Sequence, residues 1–234
     1  DVRIGSADQP ARSRIALGAG GSPELRQEAE AALGRHDTVR SVPVIVPLAQ
    51  WGSVGIAGPR DRVDALGRWI VLQAAILQPP SELRICAVLS PARVGAWDWL
   101  KWLPHVRAHS PDDDGELVVG GPAATALLEG LLVEVASGSQ APGRRTLVVV
   151  DGSLTPDARL VARLLGVAVA GGVSVAWLAE DSASLPNGMA AIVDLDSAAA
   201  RLDLVEVTSG VTVSGASADG VPLAVAEATA RAMA

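Results

Sequence analysis

The chain has 234 residues, 49% of them hydrophobic, and a formal net charge of −7. That is enough apolar material to bury a core without staples, and the acidic balance argues against a surface for nucleic acid or anionic lipid. One cysteine, Cys86, excludes an internal disulfide, and no apolar run reaches the roughly 18 residues that a membrane-spanning helix needs.

In chain order, Val2-Arg3-Ile4 and Arg14-Ile15-Ala16-Leu17 read as short strands separated by polar and proline residues. Glu24 to Leu33 predicts an amphipathic helix, with Pro23 in its first turn and Gly34 closing it. Strands are predicted at 42–46 and 53–56, joined through a turn at 49–52. Pro43, which has no N–H for a ladder, puts the first of them at a sheet edge. Arg62 to Leu77 is helical and apolar nearly all round from Trp69, the pattern of a helix held between layers. Pro79-Pro80 ends it, and the apolar run 83–89, which contains Cys86, reads as a buried strand.

Further on, 123–136 predicts a helix with Leu127, Leu128, Leu131, Leu132 and Val135 on one face. A strand at 146–151 ends in Asp151, a helix follows at 156–165, and strands are predicted at 173–178 and 189–194. Residues 201–214 alternate like a β-hairpin, and Pro222 opens a last helix. Strands interleaved with helices in continuous apolar runs define an α/β fold: three layers around a mostly parallel sheet, with peripheral β-hairpins. No linker divides the chain, so residues 1–234 are expected to form a single domain. Opening on Asp1 and stopping inside a helical pattern, the chain has the look of a segment of a longer protein.

The stretch Val54-Gly55-Ile56-Ala57-Gly58-Pro59-Arg60-Asp61-Arg62 is strand, glycine turn and helix start, the frame of a phosphate-binding loop. Counted from Gly58, the places for Gly, Lys and Ser/Thr hold Val63, Asp64 and Ala65. The lysine that neutralises phosphate and the hydroxyl that holds magnesium are both missing. Two readings of Gly58, Pro59, Arg60, Asp61 and Arg62 follow. One is a residual anion site built from helix-start N–H groups, with charge added by Arg60 and Arg62. The other is a tight turn with Asp61 capping the helix. Asp151 likewise either faces a metal-nucleotide or caps the helix after Thr155-Pro156.

Trp99, Trp102 and Leu103 fall on one face of a short helix stopped by Pro104, which reads as a core anchor. Trp97 is out of phase with them and has two readings, a further anchor or an exposed docking residue. His105, His109 and the acids Asp112 to Asp114 do not assemble a plausible ligand set, so no metal site is expected. Gly-x-Ser-x-Gly is absent, and no catalytic residue is assigned.

The degenerate loop at 58–65, the run Trp97-Asp98-Trp99-Leu100-Lys101-Trp102-Leu103-Pro104-His105, the strand ending in Asp151 and the closing Gly220-Val221-Pro222 segment together carry a resemblance. The chain resembles the membrane-proximal domain of FtsK/SpoIIIE-type ATPases, and among them the EccC proteins of type VII secretion. The resemblance implies a P-loop NTPase core of RecA/FtsK type with a weakened nucleotide site. Asp151 matches the first Walker B acid, while Gly152 stands where the catalytic Glu belongs. The implied role is a non-catalytic coupling domain between membrane segments and active ATPase domains. It would lie on the cytoplasmic side of a bacterial membrane, attached through segments outside this chain. Other domains and subunits of the same motor are the implied partners, in a homo-oligomer, with no direct nucleic acid binding. No cofactor is expected. The alternatives are an ATP–Mg-binding domain with weak or regulatory hydrolysis, and a DNA-contacting module.

Overall fold

The computed structural model describes residues 1–13, 15–18, 20–34, 36–106, 117–139, 143–154 and 156–234. β1 (Val2–Pro10), α1 (Pro23–Gly34), β2 (Thr38–Val46), α2 (Leu48–Trp51) and β3 (Ser53–Ala57) lead into the long α3 (Arg60–Leu77). Next come β4 (Leu83–Leu89), α4 (Val94–Trp97), β5 (Leu117–Val119), α5 (Gly121–Ser137), β6 (Arg145–Asp151), α6 (Ala158–Val167) and β7 (Val173–Ala179). β8 (Ala191–Leu195), β9 (Arg201–Glu206), β10 (Thr212–Ala218) and α7 (Leu223–Met233) follow.

All of these strands join one ten-stranded sheet in the order β2-β1-β10-β9-β8-β3-β7-β6-β4-β5. From β8 to β5 every neighbour is parallel, and from β8 to β2 every neighbour is antiparallel. The parallel half is the P-loop-type core. β7 separates β3, which precedes the degenerate loop, from β6, which ends in Asp151. The antiparallel half is the hairpin extension, and β2 with Pro43 is its edge strand, as the proline predicts.

The strand alternation explains the continuous apolar runs. On β4, Ile85, Ala87 and Leu89 enter the core under α3 and α7, while Cys86 and Val88 enter a second core under α5 and α6. β6 divides the same way, Leu147 and Val149 against Val148 and Val150. Both faces are covered, so no position on these strands is left for a polar residue to face water.

The tryptophan run forms the corner of the first core. Trp97 is fully buried and Trp99 nearly so, and their rings stack at 6.1 Å. The docking reading of Trp97 is therefore wrong: its ring packs against Gly67 of α3, where a Cβ would come within 3.0 Å of the indole. A glycine inside a helix costs about 1 kcal/mol relative to alanine, and here it makes the space for a large aromatic. Trp102 is half-covered, with Lys101 and Arg231 of α7 over its ring at 5.6 and 5.1 Å.

Other expectations shift at their edges. Ile15 to Leu17 are exposed and lie outside any strand, because β1 has already run to Pro10 and paired along β2. The helix expected from 156 begins at Ala158, since Asp157 is its cap, accepting from the N–H groups of Arg159 and Leu160. His109 and Asp112 to Asp114 lie outside the described residues. Among the described residues, no group of three His, Cys, Asp or Glu is placed to hold a metal ion.

His105 ends the tryptophan run as a structural pin. Its ring nitrogen Nε2 is 2.8 Å from the Gln78 carbonyl at the end of α3, and its own carbonyl accepts from Ile85 N–H of β4 at 3.0 Å. Burial lowers its pKa below the ordinary 6.5, more than the bond to Gln78 raises it. The unfolded chain therefore takes up a proton that the folded ring resists, and stability falls as pH drops through 6.5. Thermal melts at about pH 7.5 and pH 5.5 check this: His105→Gln, which keeps a donor for Gln78, should show a smaller loss between the two than the parent.

Candidate functional site

The parallel strands β8, β3, β7, β6 and β4 present their carboxyl ends on one edge of the sheet, where α/β folds place ligands. β3 stops at Ala57 and α3 starts at Arg60, so Gly58 and Pro59 alone connect them. A phosphate cradle needs several non-helical residues whose N–H groups converge on the anion. Here Pro59 has no N–H, and the N–H groups of Arg62 and Val63 both turn back onto the Pro59 carbonyl, each at 2.9 Å. Gly58 is required for packing: its φ is 136°, and a Cβ would meet the Leu195 carbonyl oxygen at 2.6 Å.

Val63, Asp64 and Ala65 consequently sit inside α3, not at the end of a loop. The motif count from Gly58 finds the letters of a phosphate loop without its shape. Asp61 does not cap the helix either, for Pro59 occupies the cap and no side chain bonds there. The two arginines expected to assist an anion are engaged elsewhere. Arg60 pairs with Glu180, just past the end of β7, and Arg62 donates to the Ala199 carbonyl. The Arg60–Glu180 pair is exposed on both sides and contributes little to stability.

Asp64 points inward. Its Oδ1 accepts from the guanidinium of Arg93 and, at 3.0 Å, from the indole N–H of Trp97. Arg93 ends the Pro91–Arg93 turn that follows β4, and its other terminal nitrogen lies 4.0 Å from Oδ1 of Asp151. The guanidinium thus stands between the Walker B acid and the carboxylate on α3. Asp64, Arg93 and Asp151 are 6%, 4% and 1% exposed, so the group is shut off from solvent.

Asp151 does not cap a helix. Oδ2 accepts from Ser90 N–H at 3.0 Å, and Oδ1 accepts from the Ser153 N–H at 3.0 Å and hydroxyl at 2.8 Å. The Ser90 hydroxyl is close enough to lower the Asp151 pKa, although it completes no well-formed hydrogen bond. Burial pushes that pKa up, but the bonds from Ser90 and Ser153 outweigh it and hold the carboxylate below its ordinary range. Arg68, also buried, anchors its Nε on the Val221 carbonyl at 3.0 Å. Burial lowers the Arg68 pKa, Asp64 raises it and Arg93 lowers it again. The two buried acids are matched by two buried guanidiniums.

Gly152 is fixed by sterics. Its N–H bonds the Leu178 carbonyl at 2.7 Å, and a Cβ would come within 2.6 Å of that oxygen and 2.8 Å of Trp177 Nε1. No glutamate fits at the position of the catalytic acid. Sequence reasoning named Asp151 and Gly152 but missed Arg93, Ser90 and Ser153. The available signal was the place of Ser90 to Arg93, directly after a buried strand and on the ligand-bearing edge of the sheet.

The sequence relatives point the same way. The chain is 33% identical over 109 residues to the ESX-4 secretion system protein EccC4 of Mycobacterium tuberculosis, covering 44% of this chain and 9% of that protein. It is 30% identical over 109 residues to EccC of Geobacillus thermodenitrificans, covering 44% and 7%. The chain is related to the EccC secretion ATPases. With EccCa1 of M. tuberculosis the match is 29% over 173 residues, 64% of this chain and 22% of that protein. The chain therefore spans less than a tenth of the first relatives it matches.

Two solved structures share its fold. EssC (ATPases 2 and 3) of G. thermodenitrificans superposes with a TM-score of 0.62 at 12% identity, over 99% of this chain and 48% of that one. The cytoplasmic domain of the type VII secretion ATPase EccC of Thermomonospora curvata gives 0.56 at 14% identity, over 77% and 25%. No family model matches the chain.

Rebuilding the motif letters should fail. In Asp64→Lys/Ala65→Thr the new lysine faces Arg93, and the broken buried pair should cost about 3–5 kcal/mol with no ATP turnover gained. Gly152→Glu should cost about 1–3 kcal/mol by overpacking Trp177, again without turnover. Urea melts and a coupled ATPase assay read both outcomes. Turnover above background in either variant would contradict the geometry.

Proposed function

We propose that this chain is a non-catalytic structural domain of an EccC-like secretion ATPase, coupling membrane segments to the ATPase domains that hydrolyse nucleotide. The observation that carries this reading is the closure of the nucleotide edge by the chain's own groups. Magnesium and phosphate need an exposed carboxylate, a lysine and a ring of free N–H groups. At those positions the chain has an acid saturated by Ser90 and Ser153, an aspartate paired with Arg93, and a two-residue turn containing proline. Three defects at three chemical positions support loss of hydrolysis more than any one of them alone.

Relatedness to EccC proteins supports a role in type VII secretion, in which the partners are the other domains and subunits of the same motor, arranged as a homo-oligomer. No helix among the described residues is long and apolar enough to cross a membrane, so attachment on the cytoplasmic side would come from other segments of the parent protein. The charge of −7 argues against direct contact with DNA. The nucleotide-binding alternative would have to use the groove of about 450 Å³ beside the start of α3, where Asp61 and Asp219 stand among the lining residues. Two carboxylates there oppose a triphosphate.

Calorimetric titration with Mg–ATP tests the reading. We expect no measurable heat of binding, no shift in melting temperature and no phosphate release. A ligand present at about 100 times its Kd would add about 2.7 kcal/mol of stability, so a competent site could not stay silent in the melt. A stabilising response to Mg–ATP would overturn the non-catalytic reading in favour of a nucleotide-binding domain.

A further inference from the structure

Asp64 and Asp151 come from different elements, yet one guanidinium serves both. Arg93 donates to Asp64 and lies 4.0 Å from Asp151, and all three are buried. The Ser90 hydroxyl beside them is buried and has no hydrogen-bond partner, while Ser153 adds a second hydroxyl on Asp151. Two carboxylates and two hydroxyls around one cation are the hard oxygen donors that suit magnesium or manganese. The cation at their centre belongs to the chain.

We infer that Asp64, Asp151, Ser90 and Ser153 form a latent divalent-cation site that Arg93 fills as a resident counter-ion. This inference rests on the non-catalytic reading and deepens it, because it identifies what occupies the position a metal ion would need. Three features favour a plug over an ordinary buried pair. The Arg93 turn sits on the ligand-bearing edge at the end of β4, beside the strand that carries Asp151. Its Nε is buried without a partner, so the guanidinium is held by its charge more than by a complete set of hydrogen bonds. Arg68, the other buried cation nearby, is tied to Val221 and already engaged. Removing Arg93 leaves two carboxylates facing a vacated, dry volume with one positive charge too few.

Melting temperature of the 234-residue chain, with and without about 10 mM MgCl₂ or MnCl₂ and with no nucleotide, tests this. The parent should not respond to either ion. Arg93→Ala should melt on the order of 10 °C lower without metal and recover at least half of that loss with manganese. Asp64→Asn/Arg93→Met removes one acid along with the plug, so it should melt near the parent and ignore both ions.

A folded Arg93→Ala that is blind to both ions would overturn the inference, as would a parent stabilised by the metal alone. If Arg93→Ala does not fold, a stable double variant supports the counter-ion role, and a double variant that also fails shows that Arg93 acts by packing. Because no arm contains nucleotide, these outcomes are separate from Mg–ATP binding by the parent, which bears on the non-catalytic reading.

Discussion

The structure turns on how four buried charges share one dry space at the carboxyl edge of the sheet. Asp64 and Arg68 come from α3, Arg93 from the turn after β4, and Asp151 from the end of β6. Taking an ion out of water costs several kcal/mol, so none of these groups is stable there alone. Their arrangement fixes how α3 lies on the sheet, because Asp64 must reach Arg93 and Trp97 at once. It also fixes the Ser90–Arg93 turn, whose N–H and guanidinium both address Asp151. The network is less a source of stability than a constraint on geometry. It accepts one disposition of three elements and penalises the others.

From that constraint the neighbouring features follow. With Asp64 turned inward, α3 begins directly after Gly58-Pro59 and leaves no length of chain to wrap an anion. The indole of Trp97 is drawn under α3 to complete the Asp64 hydrogen bonds, and Gly67 clears the volume for its ring. Trp99 stacks behind it, and α7 closes over Trp102 through Arg231. The segment Gly220 to Pro222 lies on α3 through the Val221 N–H to the Ala65 carbonyl at 3.0 Å, and Arg68 holds the Val221 carbonyl in return. The signature run of the sequence and its closing segment thus pack on the same helix.

Much of this fold was legible before the structure. Continuous apolar runs at 83–89, 146–151 and 173–178 could only be strands buried on both faces, and Pro43 marked the edge that β2 forms. What remained illegible was three-dimensional. The spacing from Gly58 to Asp64 matched a phosphate loop because a motif counts residues and does not report where a helix begins. Trp97 looked exposed because its phase was judged against a regular helix, whereas α4 gives way to a tight 3-10 turn at Asp98. Arg93 carried no motif at all. Its role depends on β4 and β6 being neighbours in the sheet, about 60 residues apart in sequence, a pairing no local pattern states.

The physical difference between a filled site and a self-filled one bears on what such a domain is for. A domain that needs nucleotide and magnesium for its shape gains stability in proportion to ligand supply, and its conformation follows the state of that ligand. A domain neutralised by its own arginine has the same shape whether ATP is present, hydrolysed or released. Within a motor whose other domains change with each nucleotide, an element that does not change is the fixed body against which motion is transmitted. Buried charge suits that purpose better than a larger apolar core would. Hydrophobic contacts tolerate sliding, whereas a guanidinium shared by two carboxylates loses several kcal/mol when displaced. The same chemistry that closes the site therefore stiffens the edge of the sheet where, in a working ATPase, the moving parts would be.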